Sequence, residues 1–221
     1  PAAMRPLIRS LSTPALSACL IAMLGAGCSA PATSVPSGGV LFQDDFSRSS
    51  SGWEVRRHTE AIFEYREGEY AMLVLAPQTS SWSTPGLSVG EVRLEVDARQ
   101  TGGSTDNLYG VICRYQDDGN FAFLIASSDG FAGIGEYRDG RRELLSGEAM
   151  LPADSIAPGG LSNHLTAECL NNTLRLFVNG TLVTEAESAS RVPEGDIGLI
   201  VGSYGEPGIE LAFDNFSARV P

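Results

Sequence analysis

Glu95 and Asp97 stand two residues apart in the run Glu91-Val92-Arg93-Leu94-Glu95-Val96-Asp97-Ala98-Arg99. Successive side chains of a strand alternate between faces, so residues at i, i+2 and i+4 share one face. Carboxyl groups placed in that way can flank a glycosidic bond and cleave it, one as acid and one as nucleophile or base. The array is incomplete here. Its third member should be a Glu at 99 or 100, and the chain has Arg99-Gln100. A guanidinium stays protonated and cannot serve as a general acid. Glu95 and Asp97 therefore read as a solvated strand face, and no catalytic residue is assigned. Gly133-Ile134-Gly135 lacks the third Gly and the helix of a dinucleotide loop. His58 and His164, the two histidines, support neither a nucleophilic triad nor a zinc cluster.

Residues suited to binding are more plentiful. A sugar site combines flat aromatic faces with planar hydrogen-bonding side chains beside them. Trp53, Trp82, Tyr109, Tyr137 and Tyr204 are candidates for the first, and Arg114, Asp129 and Asn120 for the second. For Trp53 and Trp82 individually, core packing is the favoured reading over ligand stacking. The neighbours of Arg114, Cys113 and Tyr115, fall on the apolar side of their strand, so alternation sends Arg114 to an outer face. There it would meet either a ligand or a cross-strand acid.

The elements that must position these residues are strands. Val92, Leu94, Val96 and Ala98 alternate with charged residues, the pattern of a half-buried antiparallel strand. Leu174-Arg175-Leu176-Phe177-Val178 runs into Asn179-Gly180, a pair that tolerates positive φ at both positions of a two-residue hairpin. Asp118-Gly119, Asp129-Gly130 and Asp139-Gly140 punctuate three further strands. No segment carries a helical stripe. About a dozen strands without a repeat unit predict a single all-β domain, an antiparallel sandwich over residues 40–221.

Several blocks of residues carry a resemblance. They are Asp44-Asp45-Phe46 with Gly52-Trp53, Tyr109 through Asp117 with Asn120-Phe121 and Ser127 through Gly130, Leu174 through Gly180, Gly195 through Leu199, and Ala212 through Phe216. Together they resemble the concanavalin A-like lectin/glucanase jelly roll, in a branch similar to 3-keto-disaccharide hydrolases. The resemblance implies a jelly-roll β-sandwich and chemistry on a sugar, by binding or by hydrolysis. It also implies a structural calcium where first and last strands meet, for which Asp45 and Asp214 could supply oxygen ligands.

The first 27 residues read as an address rather than structure. Arg5 and Arg9 precede the apolar run Leu16–Leu24, which ends in Gly25-Ala26-Gly27 before Cys28. This is the plan of a secretory signal, and Cys28 resembles the lipidated residue of a bacterial lipoprotein more than Cys19 does. Residues 28–39 read as a flexible tether. The domain is then expected outside the cytoplasm, anchored to the cell envelope by lipid. In that setting Cys113 and Cys169, which share the inward phase of their strands, are expected to form a disulfide; two buried thiols are the alternative.

The chain has 221 residues, 15 Arg, no Lys, and a formal charge of −12. Loss of residues 1–27 would remove two further positive charges. That balance argues against nucleic acid or an anionic membrane surface as partner. The expected function is a tethered, non-catalytic module for a neutral polysaccharide or glycan. A sugar hydrolase and a structural or adhesive domain are the alternatives.

Overall fold

The computed structural model describes residues 36–188 and 194–221. The expected signal, Cys28 and the tether before Pro36 lie outside the described residues. Every regular element among the described residues is a strand. In chain order these begin with β1 (Val40–Asp44), β2 (Arg56–Arg57), β3 (Ala61–Arg66), β4 (Glu69–Val74), β5 (Ser80–Ser83) and β6 (Ser88–Val89). Next come β7 (Val92–Gly102), β8 (Asn107–Asp117), β9 (Asn120–Ala126), β10 (Phe131–Arg138), β11 (Arg141–Leu144) and β12 (Leu151–Pro152). The last are β13 (Asn163–Leu170), β14 (Thr173–Val178), β15 (Thr181–Glu187), β16 (Gly195–Ser203) and β17 (Ile209–Arg219).

These strands make two antiparallel sheets. The first runs β15-β14-β13-β7-β17-β4-β3-β2, with β1 also paired to β17. The second runs β11-β10-β9-β8-β16-β5, with β12 beside β10 and β6 beside β16. Strands distant in sequence lie side by side, as β7 does between β13 and β17, so the chain crosses repeatedly between sheets. The architecture is a jelly-roll β-sandwich.

Local sequence explains much of it. Val92, Leu94, Val96 and Ala98 are all fully buried between the sheets, while Arg93, Glu95 and Asp97 lie on the outer face of the first sheet. Burial of each such aliphatic side chain stabilises by about 1.5–3 kcal/mol. Asn179 and Gly180 adopt φ of 51° and 80° and join Val178 to Thr181, as their residue types require. Asp139 and Gly140 turn β10 into β11 in the same way, at 51° and 76°. Cys113 of β8 and Cys169 of β13 are both fully buried and form a disulfide that ties the second sheet to the first across 56 residues of chain.

Trp53 belongs to this interior and not to a binding face. It is 4% exposed, its ring 5.0 Å from Phe216 and 5.5 Å from Tyr70. Tyr109 is also core: it is buried, and its hydroxyl accepts a 3.1 Å hydrogen bond from the Asn163 amide. Both were plausible sugar-stacking residues by type, and the sandwich uses both for packing.

A bulge in β8 changes the phase of everything after Cys113. Cys113 pairs with Ala122 and Asp117 with Asn120, so three residues of β8 oppose one of β9. Arg114 sits at the start of this bulge with φ of 58°. Strict alternation would put Arg114 outside and Tyr115 inside. The structure does the reverse: Arg114 is 6% exposed, and Tyr115 packs on the outer side of the second sheet. Against β16 the same stretch carries one extra residue, since Asp196 pairs with Tyr115 and Gly198 with Ile112, and one extra residue shifts a strand's faces by one.

Candidate functional site

The second sheet is apolar on both sides. Its inner side supplies Val111, Leu124, Ile134 and Leu199 to the main core. Its outer side carries a separate cluster of Leu108, Ile112, Phe121, Phe123, Ile125 and Ile200. An antiparallel sheet commonly leaves one face polar and wet; this one does not. Half-buried Trp82, Tyr115, Tyr137, Leu144, Met150 and Tyr204 border the cluster. Gly133 lets the segment before β12 lie close, since a β-carbon there would come 3.1 Å from Met150 Cγ.

The aromatic rings form a continuous run. Trp82 lies 4.9 Å from Phe121, Phe121 stacks at 4.7 Å on Tyr137, and Tyr137 meets Phe123 at 5.8 Å. Polar groups rim the run. Asp118 Oδ1 accepts from Trp82 Nε1 at 3.2 Å and from the Tyr115 hydroxyl at 2.8 Å. Burial, and then the neighbouring Asp118 carboxylate, push the Tyr115 phenol up to about 12. Arg142 lies over the rings of Phe123 and Tyr204, at 5.2 Å and 5.7 Å, and donates to the Tyr204 hydroxyl at 3.1 Å.

Beside this run the surface is grooved. One groove of about 340 Å³ has Phe131, Leu144, Met150 and Tyr204 as apolar wall, with Asp106 and Asp129 as oxygen acceptors. A second, of about 370 Å³, shares Leu144 and Tyr204 and adds Arg142 and Glu148. An aromatic ring next to planar acceptors and a guanidinium is the combination that holds a polyhydroxylated ring by stacking and hydrogen bonding.

The sequence candidates thus separate. Trp82 and Tyr137 lie in the aromatic run, Asp129 and Tyr204 line the first groove, and Trp53 and Tyr109 are buried in the core. Asn120 is held locally: its amide donates to Asp117 and its oxygen accepts from the Asp139 amide. Arg114 does not reach the outer face. Its Nη2 donates to the carbonyl of Asn171, in the turn between β13 and β14 of the first sheet. Burial holds its guanidinium below the usual arginine range. A small cavity of about 40 Å³ adjoins it, also lined by Glu136, Tyr137, Arg138 and Ser188.

Phe121, Phe123, Arg142 and Met150 were not singled out from sequence. Their signal was nonetheless present: Phe121, Phe123 and Ile125 alternate with Ala122, Leu124 and Ala126, so no face of that strand is polar.

The carboxylates of β7 are paired for structure. Glu95 accepts from Arg93 at 3.0 Å, and Asp97 meets His164 Nδ1 at 2.8 Å and Asn215 Nδ2 at 3.0 Å. They lie on the first sheet, away from the grooves. Asp45 and Asp214, the residues expected to hold calcium, lie close enough for the Asp45 charge to act on the Asp214 carboxyl. Hydrogen bonds from Ser47 hold Asp45 below the usual carboxylate range. Burial raises Asp214, with nearby Glu69, Asp97 and Asp45 adding to the rise. Among the described residues no three acidic, His or Cys side chains gather as a metal-binding group.

No protein-family model and no curated protein sequence matches this chain significantly. Solved structures do match. The carbohydrate binding module CBM66 from Bacillus subtilis aligns with a TM-score of 0.62 at 14% identity, covering 76% of this chain and 96% of that one. A Bacillus subtilis protein of unknown function with a galectin-like fold aligns with a TM-score of 0.59 at 9% identity, covering 84% and 97%. The GH43 protein BlXynB from Bacillus licheniformis gives 0.61 at 13% identity, covering 81% of this chain but 39% of that one. At these identities the likeness is one of fold, and it places the chain among the jelly-roll, galectin-like β-sandwiches.

Proposed function

We propose that this chain is a non-catalytic module that binds a neutral glycan on the outer face of its second sheet. The observation that carries this reading is the apolar, aromatic outer face with two grooves that meet at Tyr204. Half-buried aromatic rings beside acceptors and a guanidinium are a combination suited to a binding site. A carbohydrate binding module among the structural neighbours supports the same reading. A hydrolase reading lacks its acid pair, because Glu95 and Asp97 sit on the other sheet, Glu95 paired with Arg93 and Asp97 within hydrogen-bond distance of His164.

A glycan array with the purified protein tests the proposal. Binding should be modest and insensitive to salt, since the ligand is uncharged. Turnover of a bound glycan that Glu95→Gln abolishes would overturn it. The proposal extends to location: Cys28 carries a lipid that anchors the module to the cell envelope. Cys28→Ala should move the protein from the detergent to the aqueous phase, and unchanged partitioning would remove the anchor.

A further inference from the structure

Arg114 is a buried guanidinium without an acid of its own. It is 94% buried by its 6% exposure, its Nη1 has no hydrogen-bond partner, and no carboxylate lies within ion-pair distance among the described residues. Its one bonded partner is a neutral carbonyl, that of Asn171. A buried charge is strongly unfavourable unless something compensates it, and the carboxylates of Glu91 and Glu136 act on Arg114 only from beyond ion-pair distance. Glu136 is buried at 2% exposure and its carboxylate is already taken: Oε1 accepts from Arg138 and Oε2 accepts from the Ser188 hydroxyl at 2.8 Å. Arg138 is paired with Glu136 and lies 3.6 Å from Glu143, so Nη1 of Arg114 is the donor in the cavity left without an acceptor.

Its size restricts what can enter. One water needs roughly 10–15 Å³ of such space, so about 40 Å³ accommodates a planar group of three heavy atoms and excludes a sugar ring. The bulge that creates the cavity is built in. A β-carbon at Gly195 would lie 2.7 Å from the Arg114 Cα, so glycine at 195 lets β16 pass against the bulge.

We propose that Arg114 and Arg138 form a carboxylate-binding site at this end of the sandwich, with Arg114 Nη1 as the principal donor. The planar guanidinium fork matches carboxylate geometry, and a charge-assisted bond there satisfies the unpaired nitrogen. The site is separate from the grooves near Tyr204, and its occupancy does not depend on the glycan reading. The carboxylate could come from a free small acid or from an acidic sugar whose ring stays outside.

The test uses the full protein in a zwitterionic buffer free of small anions. Sodium formate is titrated against sodium chloride at matched ionic strength, with glucuronate as a second arm, and the assigned Arg114 guanidinium resonances are followed by NMR. A saturable shift with formate, larger than with chloride, is expected. Arg138→Gln and Arg114→Gln should each weaken it about tenfold or more, the fold-change of a charge-assisted hydrogen bond. Saturation by glucuronate as well would assign the carboxylate to a sugar; saturation by formate alone would assign it to a free acid. Should Arg114→Gln not fold, the wild-type titration and Arg138→Gln still decide. Resonances that formate leaves unmoved, a response equal to that of chloride, or affinity unchanged in Arg138→Gln would each overturn the proposal and leave ordered water as the occupant.

Discussion

Gly195 and Arg114 touch where two strands of the second sheet meet. A β-carbon on Gly195 would sit 2.7 Å from the Arg114 Cα and equally close to Gln116 Nε2. The pairing of β16 with β8 shifts at the same place, between Asp196 and Gly198. The close approach fixes the bulge, and the bulge decides which way Arg114 and Tyr115 face.

Gly195→Ala should therefore destabilise the domain. The new methyl group meets backbone, which cannot rotate away, and overpacking of this kind costs about 1–3 kcal/mol. Thermal unfolding measures it, and an unchanged Tm would show that the strands can separate without loss.

Breaking the Cys113–Cys169 disulfide should lower stability by about 2–4 kcal/mol through the freed chain entropy of the unfolded state. Urea unfolding with and without reductant gives the difference. Peptide mapping under non-reducing conditions should recover one linked pair, and two alkylatable thiols would refute it.

The two tryptophans should behave differently. Trp53→Ala removes a buried ring and should cost about 3–5 kcal/mol of stability. Trp82→Ala and Tyr204→Ala remove half-buried outer-face rings, so each should lower Tm less than Trp53→Ala does and weaken glycan binding by about 1–2 kcal/mol, the scale of an aromatic anchor. Intact binding in both outer-face variants would move the glycan site elsewhere.

Alkaline pH should unfold the protein through its phenols. Burial raises Tyr109 to about 12, and burial with the Asp118 carboxylate raises Tyr115 to about 12. A folded-state pKa above the unfolded value of 10 means that the stabilisation is complete below pH 10 and is lost as pH rises through 12. Stability measured by urea unfolding should therefore fall between pH 10 and 12. Phenolate absorbance at pH 11 should be lower in the folded than in the unfolded protein.

Much of the architecture is written in local patterns. The alternation from Val92 to Ala98, the Asn179-Gly180 and Asp139-Gly140 turns, and the shared inward phase of Cys113 and Cys169 each depend on backbone geometry within a few residues, so they can be read along the chain. What only the tertiary structure decided follows from relations between distant strands. Type alone could not separate Trp53, packed on Phe216, from Trp82, packed on Phe121, because an indole suits either place. Alternation put Arg114 outside and Tyr115 inside, and one bulge exchanged them. That bulge depends on Gly195, some eighty residues away in the chain, and the grooves depend on β10, β11 and β16 converging around Tyr204. A period of two describes a strand only while every residue has a partner; where pairing slips, packing against a neighbouring strand sets the direction of each side chain.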